Sequence, residues 1–415
     1  MKLLDNKVFR RLLLSLTYAS GVFLIVASGG SGSGSSSSDD SCRLVISAIS
    51  PVTGTDDIWV GVLSELPTGE FNSVARLKSD GTEAFPPVPL AGGFDNVIRT
   101  VAVTEDGSKV YVGGDFSQGI LRLNGANGLP DGDFDVGSGF NDSVSTIVPV
   151  GDGSGDIYVG GFFSEYDGDF VGGLVRLNAD GKLSVNFAGT RDIQAVAPAG
   201  MNPGIYPNGS VYSGGSFVPT LARWWSDGGG SIDNNFNFPG IDPVFSVALV
   251  AGGDGDVYAG GGFSGGISRI SNTGVTDEIA FAVGSGFNGS VRKIVHTEDS
   301  SGDIYAVGGF TTYQGSAANG LVRLNDDGSP EMSFMTGTGF SNSDGLVPFG
   351  QFAASALAAD ALGDLYVGGD FTDYNGTAAD GIVRLDESGM LDPDFVAQIS
   401  SETGTCTDGT FVEDE

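Results

Sequence analysis

Basic residues are scarce in this chain, with 19 lysines and arginines against 52 aspartates and glutamates and a formal charge of -33. A surface so acidic repels phosphate backbones and anionic lipid, which excludes nucleic acid as a partner. Only two cysteines occur, Cys42 and Cys406, too few for a disulfide scaffold and without metal-ligand spacing. A single histidine, His296, removes most general acid–base chemistry. Helix-favouring runs are almost absent.

Glycine and phenylalanine are what the chain has in quantity: 69 and 27 of its 415 residues. The glycines follow no collagen triplet. Apolar residues make up 40%, enough for a large core, and the sum of these features is an all-β chain full of tight turns.

The N-terminus is organised differently. Lys2, Lys7, Arg10 and Arg11 precede an apolar stretch from Leu12 to about Ala27, closed by small residues. This is the pattern of a secretory signal over residues 1–28, with Val26 and Ser28 suited to the −3 and −1 positions. An uncleaved anchor, the rival reading, would tie the chain to a membrane through this segment alone. Residues 29–41 form a Gly/Ser tether. The run IVASGGSGSGSSSS resembles a bacterial lipoprotein leader, except that Ser28 stands where the lipidated cysteine would be.

From Cys42 onward one motif recurs. An apolar strand is followed by an acidic turn, an aromatic strand of the type DIYVGGFF, a third strand of the type GLVRLNADG and a closing Phe. The aromatic position is held by Trp59, Tyr111, Tyr158, Tyr212, Tyr258, Tyr305 and Tyr366. The third strand carries Arg76, Arg122, Arg176, Arg223, Arg269, Arg323 and Arg384, and the closing residues are Phe85, Phe134, Phe187, Phe236, Phe281, Phe334 and Phe395. Three markers therefore agree on seven units of about 50 residues, the period of propeller blades. In the aromatic strand Tyr and Phe stand five apart, as in Tyr111 and Phe116 or Tyr366 and Phe371, which puts them on opposite faces of a regular strand. The glycine pair between them, such as Gly113 and Gly114, marks a bulge or a close approach of the neighbouring backbone. An Arg present in every unit is scaffold, paired with a carboxylate or a turn carbonyl.

GLVRLNADGKLSVNF (173–187) and DGIVRLDESGMLDPDF (380–395) resemble the delta-60 type of β-propeller repeat, and the resemblance runs from about Leu44 to Phe395. It implies a propeller in an exported or surface bacterial protein and brings no catalytic residues. Unit one lacks the glycine pair, and unit four carries Trp224 and Trp225 in place of Leu-Asn.

Several residues invite a functional reading. His296 aligns with Pro149 in the innermost strand and has no paired nucleophile, so it reads as packed or channel-facing. Paired acids precede the aromatic strands: Asp152 and Asp156, Asp254 and Asp256, Asp299 and Asp303, Asp360 and Asp364. They could converge on calcium, but Asp and Gly also make tight turns unaided, and recurrence at the blade period favours that. In unit two, Asp131, Asp133, Asp135 and Asp142 fall at calcium-loop positions, with Val136 where glycine is needed. Trp224 and Trp225 suit either a stacking surface or aromatic filling between blades, and Asn208, Asn288 and Asn375 head glycosylation sequons.

The expectation is an all-β, seven-bladed β-propeller of four-stranded antiparallel blades over 42–398, with an acidic tail over 399–415. The first-to-second and third-to-fourth turns should share one face of the disc; linkers and second-to-third loops should share the other. The long loops SEYDGDFVGG, TTYQGSAANG and TDYNGTAADG of units three, six and seven are then the candidate partner surface. Function is expected to be binding or adhesion at the cell surface, by a monomer without cofactor, toward a protein or glycan. The alternative is an exported hydrolase or lyase working on polysaccharide in the central channel. Cys42 and Cys406 bracket the ring and are expected to form a disulfide.

Overall fold

The computed structural model describes residues 43–413 except 67–68, 86–93, 188–189, 191, 203–205, 217–218, 227–228, 237, 239–242, 252–254, 278, 298, 300, 343–353, 361–362, 401–403 and 408–409. The expected signal, the tether and Cys42 lie outside the described residues. All regular structure among the described residues is β.

Seven antiparallel sheets follow one another along the chain, each with its second strand in the middle. The first strands are Arg43–Pro51, Ile98–Val103, Val144–Pro149, Ile193–Asn202, Val244–Leu249, Val291–His296 and Ala354–Ala359. The second strands are Ile58–Leu66, Lys109–Gly114, Ile157–Gly161, Tyr206–Gly215, Val257–Gly261, Ile304–Gly308 and Leu365–Gly369. The third are Gly69–Leu77, Ile120–Asn124, Leu174–Leu177, Leu221–Trp225, Ile267–Ile270, Leu321–Leu324 and Ile382–Leu385.

The fourth strand departs from expectation. Among the described residues only unit three has one, Leu183–Asn186. Elsewhere a lone bridge stands in its place, as in Leu123↔Pro130, Leu324↔Pro330 and Leu385↔Leu391. Proline at the bridge cannot donate to a ladder. The acid that follows bends the chain instead: Asp131 Oδ1 accepts from the N–H of Asp133, and the Phe134 N–H returns to the Asp131 carbonyl.

The markers recur because they touch. In every unit the aromatic of the second strand packs on the closing Phe of the same unit, from Trp59–Phe85 at 5.5 Å between centroids to Tyr366–Phe395 at 5.6 Å. Burying each such ring contributes about 2 kcal/mol. Tyr111 and Phe116 do lie in different apolar clusters, on opposite faces of their sheet.

Those clusters are seven, each filled from two consecutive sheets. One of them joins the last sheet to the first, with Tyr366 and Phe395 against Leu44, Ile46 and Val60. Polar contacts follow the same order. Tyr111 Oη donates to the Gly155 carbonyl at 3.3 Å and Tyr212 Oη to that of Gly255 at 2.6 Å, each in the following sheet. Tyr366 Oη donates to the carbonyl of Asp56 in the first sheet at 3.1 Å.

Glycine is required where sheets meet. A Cβ on Gly160 would lie 2.5 Å from Cγ2 of Ile193, and one on Gly260 would lie 2.7 Å from Cγ1 of Val291. In unit six the corresponding residue is Val307, fully buried, and the residue it meets in the seventh sheet is Ala354.

The linkers do not keep to one side. The N–H of Asp135, at the start of the second linker, bonds to Asp180 in the third-to-fourth turn of the next unit. Five residues later Phe140 packs against that unit's second-to-third loop. After Phe395 the chain takes the same path, with Val396 and Gln398 donating to the carbonyls of Asp80 and Gly81 in unit one.

Residues past 398 are not merely a tail. Gln398–Ser400, Gly404–Thr407 and Thr410–Glu413 form an antiparallel sheet. Ile399 enters the cluster that joins the last sheet to the first.

Candidate functional site

In units three, six and seven the second-to-third connection folds into a miniature hairpin. Glu165–Tyr166 pairs with Asp169–Phe170, Thr312–Tyr313 with Ser316–Ala317, and Asp373–Tyr374 with Thr377–Ala378. The tips Asp167-Gly168, Gln314-Gly315 and Asn375-Gly376 have positive φ at both residues, 48° and 85° in the first. That is the type I′ geometry whose twist matches a two-residue hairpin.

One side of each hairpin is fixed. Tyr166, Tyr313 and Tyr374 are buried, and their hydroxyls donate to the carbonyls of Gly181, Gly328 and Gly389. Burial pushes the Tyr313 phenol up to about 12 and raises those of Tyr166 and Tyr374 as well, which keeps all three as donors. Each ring packs on a linker phenylalanine: Phe140–Tyr166 at 4.5 Å, Phe287–Tyr313 at 4.5 Å and Phe340–Tyr374 at 4.9 Å. Asn141 Oδ1 accepts from the N–H groups of Ser164 and Glu165, and Asn288 Oδ1 from those of Thr311 and Thr312.

The other side faces water. Asp169, Ser316, Ala317, Thr377 and Ala378 are exposed, and Phe170 is 82% exposed. Unit two has only a short connection at this place. There a polar cleft of about 470 Å³ opens, lined by Asp95, Asp115, Ser117, Asn141 and Asp142.

The linker phenylalanines were not singled out in the sequence reading. Their signal is VGSGFN at 136–141 and 283–288 and TGTGFS at 336–341, each just before a hairpin-bearing unit. Gly137 and Gly139 have φ of 58° and 75°, and a Cβ on Gly137 would collide with the Asp167 carboxylate.

The other candidates are distributed through the scaffold. Each repeat Arg holds a carboxylate, but not always the same one. Arg76, Arg176, Arg269 and Arg323 pair with Asp57, Asp156, Asp256 and Asp303, all before the aromatic strand. Units two and four have Lys109 and Ser210 at that place, and Arg122 and Arg223 turn to Asp131 and Asp233 beyond the third strand. Arg384 has both, Asp392 and, at 3.7 Å, Asp364. Asp152 and Asp299 add a second acid to Arg176 and Arg323. A guanidinium thus occupies the place a cation would take between these acids.

Asp299 illustrates the balance. Burial opposes its charge, yet the hydroxyl and N–H of Ser301, Thr297 and Arg323 hold its carboxyl well below the usual range. Asp254 lies outside the described residues. The acids of the unit-two loop diverge: Asp131 bonds Arg122 and Lys109, Asp135 bonds Lys182, and Asp142 caps the N–H of Ser143. Among the described residues no three His, Cys, Asp or Glu side chains are placed to hold a metal ion.

His296 ends its first strand, opposite Ile304, as Pro149 does opposite Ile157. Its ring packs near Tyr258, and Nε2 contacts the Leu249 carbonyl of the preceding sheet. Trp224 is buried against Phe187 of unit three and donates to Ser213, while Trp225 is half-buried beside Arg223. Asn288 and Asn375 are engaged in holding hairpins, and the side chain of Asn208 lies outside the described residues. The backbone of Cys406 pairs with Ile399 and Phe411.

Residues 153–187, 300–334 and 363–395 match the model of a β-propeller domain of unknown function, DUF5122. These are segments of the three hairpin-bearing units. No curated protein matches the chain. Among solved structures it is similar to the WD40 β-propeller domain of Doa1, with 14% identity over 82% of this chain and 95% of that one and a TM-score of 0.49.

Proposed function

We propose that this β-propeller repeat protein is an exported, seven-bladed ring that works as a monomeric binding or adhesion module at the cell surface, without catalysis. The ring reading is supported by the last sheet meeting the first through the same tyrosine bond and apolar contact that join other neighbours. The export reading rests on the N-terminal pattern.

The observation that carries the binding reading is the two-sidedness of the three hairpins. Their inner faces are locked by the same tyrosine, glycine and phenylalanine contacts, while the outer residues differ: Asp169 and Phe170, Ser316 and Ala317, Thr377 and Ala378. A rigid frame presenting variable tips is how scaffolds carry recognition loops. The partner is a protein or glycan that Phe170 can engage with an aromatic face.

The test leaves the frame intact. Removing whole loops would uncover Phe140, Phe287 and Phe340, so only outward residues are changed: Phe170→Ser, with Asp169→Ser and Thr377→Asp. The variant should melt as the parent does and lose capture on a glycan array and from envelope extract, with and without calcium. Unchanged capture overturns the assignment of the surface.

Cys42 and Cys406 enter the same reading as a disulfide. Cys406 pairs through its backbone with Ile399, and Ile399 shares an apolar cluster with Leu44, two residues from Cys42. An exported chain meets the oxidant this bond requires.

A further inference from the structure

Methionine is among the residues most often found fully buried, yet Met332, Met335 and Met390 are 81%, 70% and 66% exposed. They are all the methionines whose side chains are described. The three meet where unit six hands over to unit seven. Met332 and Met335 stand on either side of Phe334, whose N–H returns to the Glu331 carbonyl and closes a tight turn. The Met335 N–H bonds the Ser388 carbonyl in the third-to-fourth turn of unit seven, two residues before Met390. A Cβ on Gly389 would lie 2.9 Å from the Met335 carbonyl oxygen. The handover from unit two to unit three uses the same backbone bond, from Asp135 to Asp180. There the places of Met335 and Met390 are held by Asp135 and Lys182, whose side chains form an ion pair at 2.9 Å. Two thioethers thus replace a surface ion pair, with Met332 beside them where unit two has Gly132.

Carboxylates frame this patch. Asp326, Asp327, Asp386, Glu387 and Asp394 are exposed in the same turns. Hydrogen bonds from Ser329 and Ser333 hold Asp327 and Glu331 below the usual carboxylate range. The third-strand arginines of the two units, Arg323 and Arg384, are already engaged with Asp303 and Asp392.

We propose that Met332, Met335 and Met390, with the acids around them, form a docking surface for a basic amphipathic segment of a partner protein. Such a segment carries apolar side chains on one face and lysine or arginine beside them. Unbranched, polarizable thioethers repack against the apolar shape that meets them, and an apolar patch rimmed by polar groups marks an interaction site. The sign of the frame selects the partner. A second copy of this chain, or an anionic bilayer, would bring like charge to a chain that carries -33, whereas a cationic segment is steered in. The surface lies at the third-to-fourth turns, at the other end of the third strands from the hairpins, and does not depend on the hairpin reading.

The probe is a leucine–lysine peptide that is amphipathic as a helix; its controls are the same residues scrambled and a lysine-only peptide of equal charge. The chain is isotopically labelled at its methionine methyl carbons and followed by nuclear magnetic resonance. The amphipathic peptide should shift the Met332, Met335 and Met390 signals, each assigned by substituting that residue with leucine. The combined variant Met332→Ser, Met335→Ser and Met390→Ser should melt as the parent does and bind the peptide about tenfold more weakly in fluorescence anisotropy. Phe170→Ser should bind it as the parent does. Peroxide treatment of the parent chain, which turns exposed thioethers into polar sulfoxides, should weaken binding as the triple variant does. Equal affinity for either control peptide, or an unchanged affinity of the triple variant, overturns the proposal. Methionine shifts produced by raising the chain concentration alone, or by anionic vesicles and not by the peptide, overturn it as well.

Discussion

A Cβ on Gly368 would lie 2.7 Å from Cγ2 of Ile46, although the two residues belong to the last and first sheets. The same short approach joins Gly61 to Ile98, Gly113 to Val144 and Gly214 to Val244. Between sheets six and seven bulk is exchanged, with Val307 on one side and Ala354 on the other. Ala354→Val should therefore overpack its junction and lower stability by about 1–3 kcal/mol. Adding Val307→Gly should recover part of that loss, a coupling of about 0.5–3 kcal/mol in a double-mutant cycle of urea melts. Additive effects would mean that the two side chains do not share space.

Arg384 and its two acids give a pH test. Burial works against the Asp392 charge, but Arg384 and the N–H of Asp394 hold its carboxyl below the usual value. A folded value below the unfolded one stabilises above about pH 4 and is lost as pH falls through the folded value. Asp364 is shifted the other way, raised by burial and by Asp360, so its charge opposes folding at neutral pH and protonation relieves it. Asp392→Asn should lower the melting temperature at pH 7, with the deficit closing toward pH 3. Asp364→Asn should cause no loss at pH 7. Equal losses from both would contradict the assignment.

The acidic turns are filled by arginine. Thermal melts in millimolar calcium and in chelator should coincide, because a ligand stabilises only where it binds the folded state. A calcium-dependent rise would show that the acids prefer the metal to Arg176 and Arg323.

A Cys42–Cys406 bond would close a loop of several hundred residues, worth about 5 kcal/mol in the chain-entropy model. Non-reducing mass spectrometry of the exported chain should give the crosslinked peptide pair. Two free thiols, or a dimer linked through them, would defeat it.

Much of this was legible because the repeat writes its own contacts. Tyr111 and Phe134 recur together since each ring needs the other, and Arg122 recurs since a buried turn acid needs a cation. The fourth strand was misjudged because Leu-Pro-Asp at 129–131 reads as a strand end and an outer strand alike; proline and the Asp turn decide it. The choice between Asp156 and Asp131 as an arginine's partner depends on which acid a unit has, visible only when units are compared in space. The bulges at Arg99 and Arg292 left no mark, since the strands they interrupt are only six residues long.

The bond from Tyr366 to Asp56 spans 310 positions. While the chain is being made, Leu44, Ile46 and Val60 of the first sheet wait with no neighbour to cover them until the seventh unit is complete. The most distant contact is then also the last to form. A chain stopped short by one unit would keep five interior seams and still present two bare apolar faces, one at each end, each shaped to accept the other end of a second such chain.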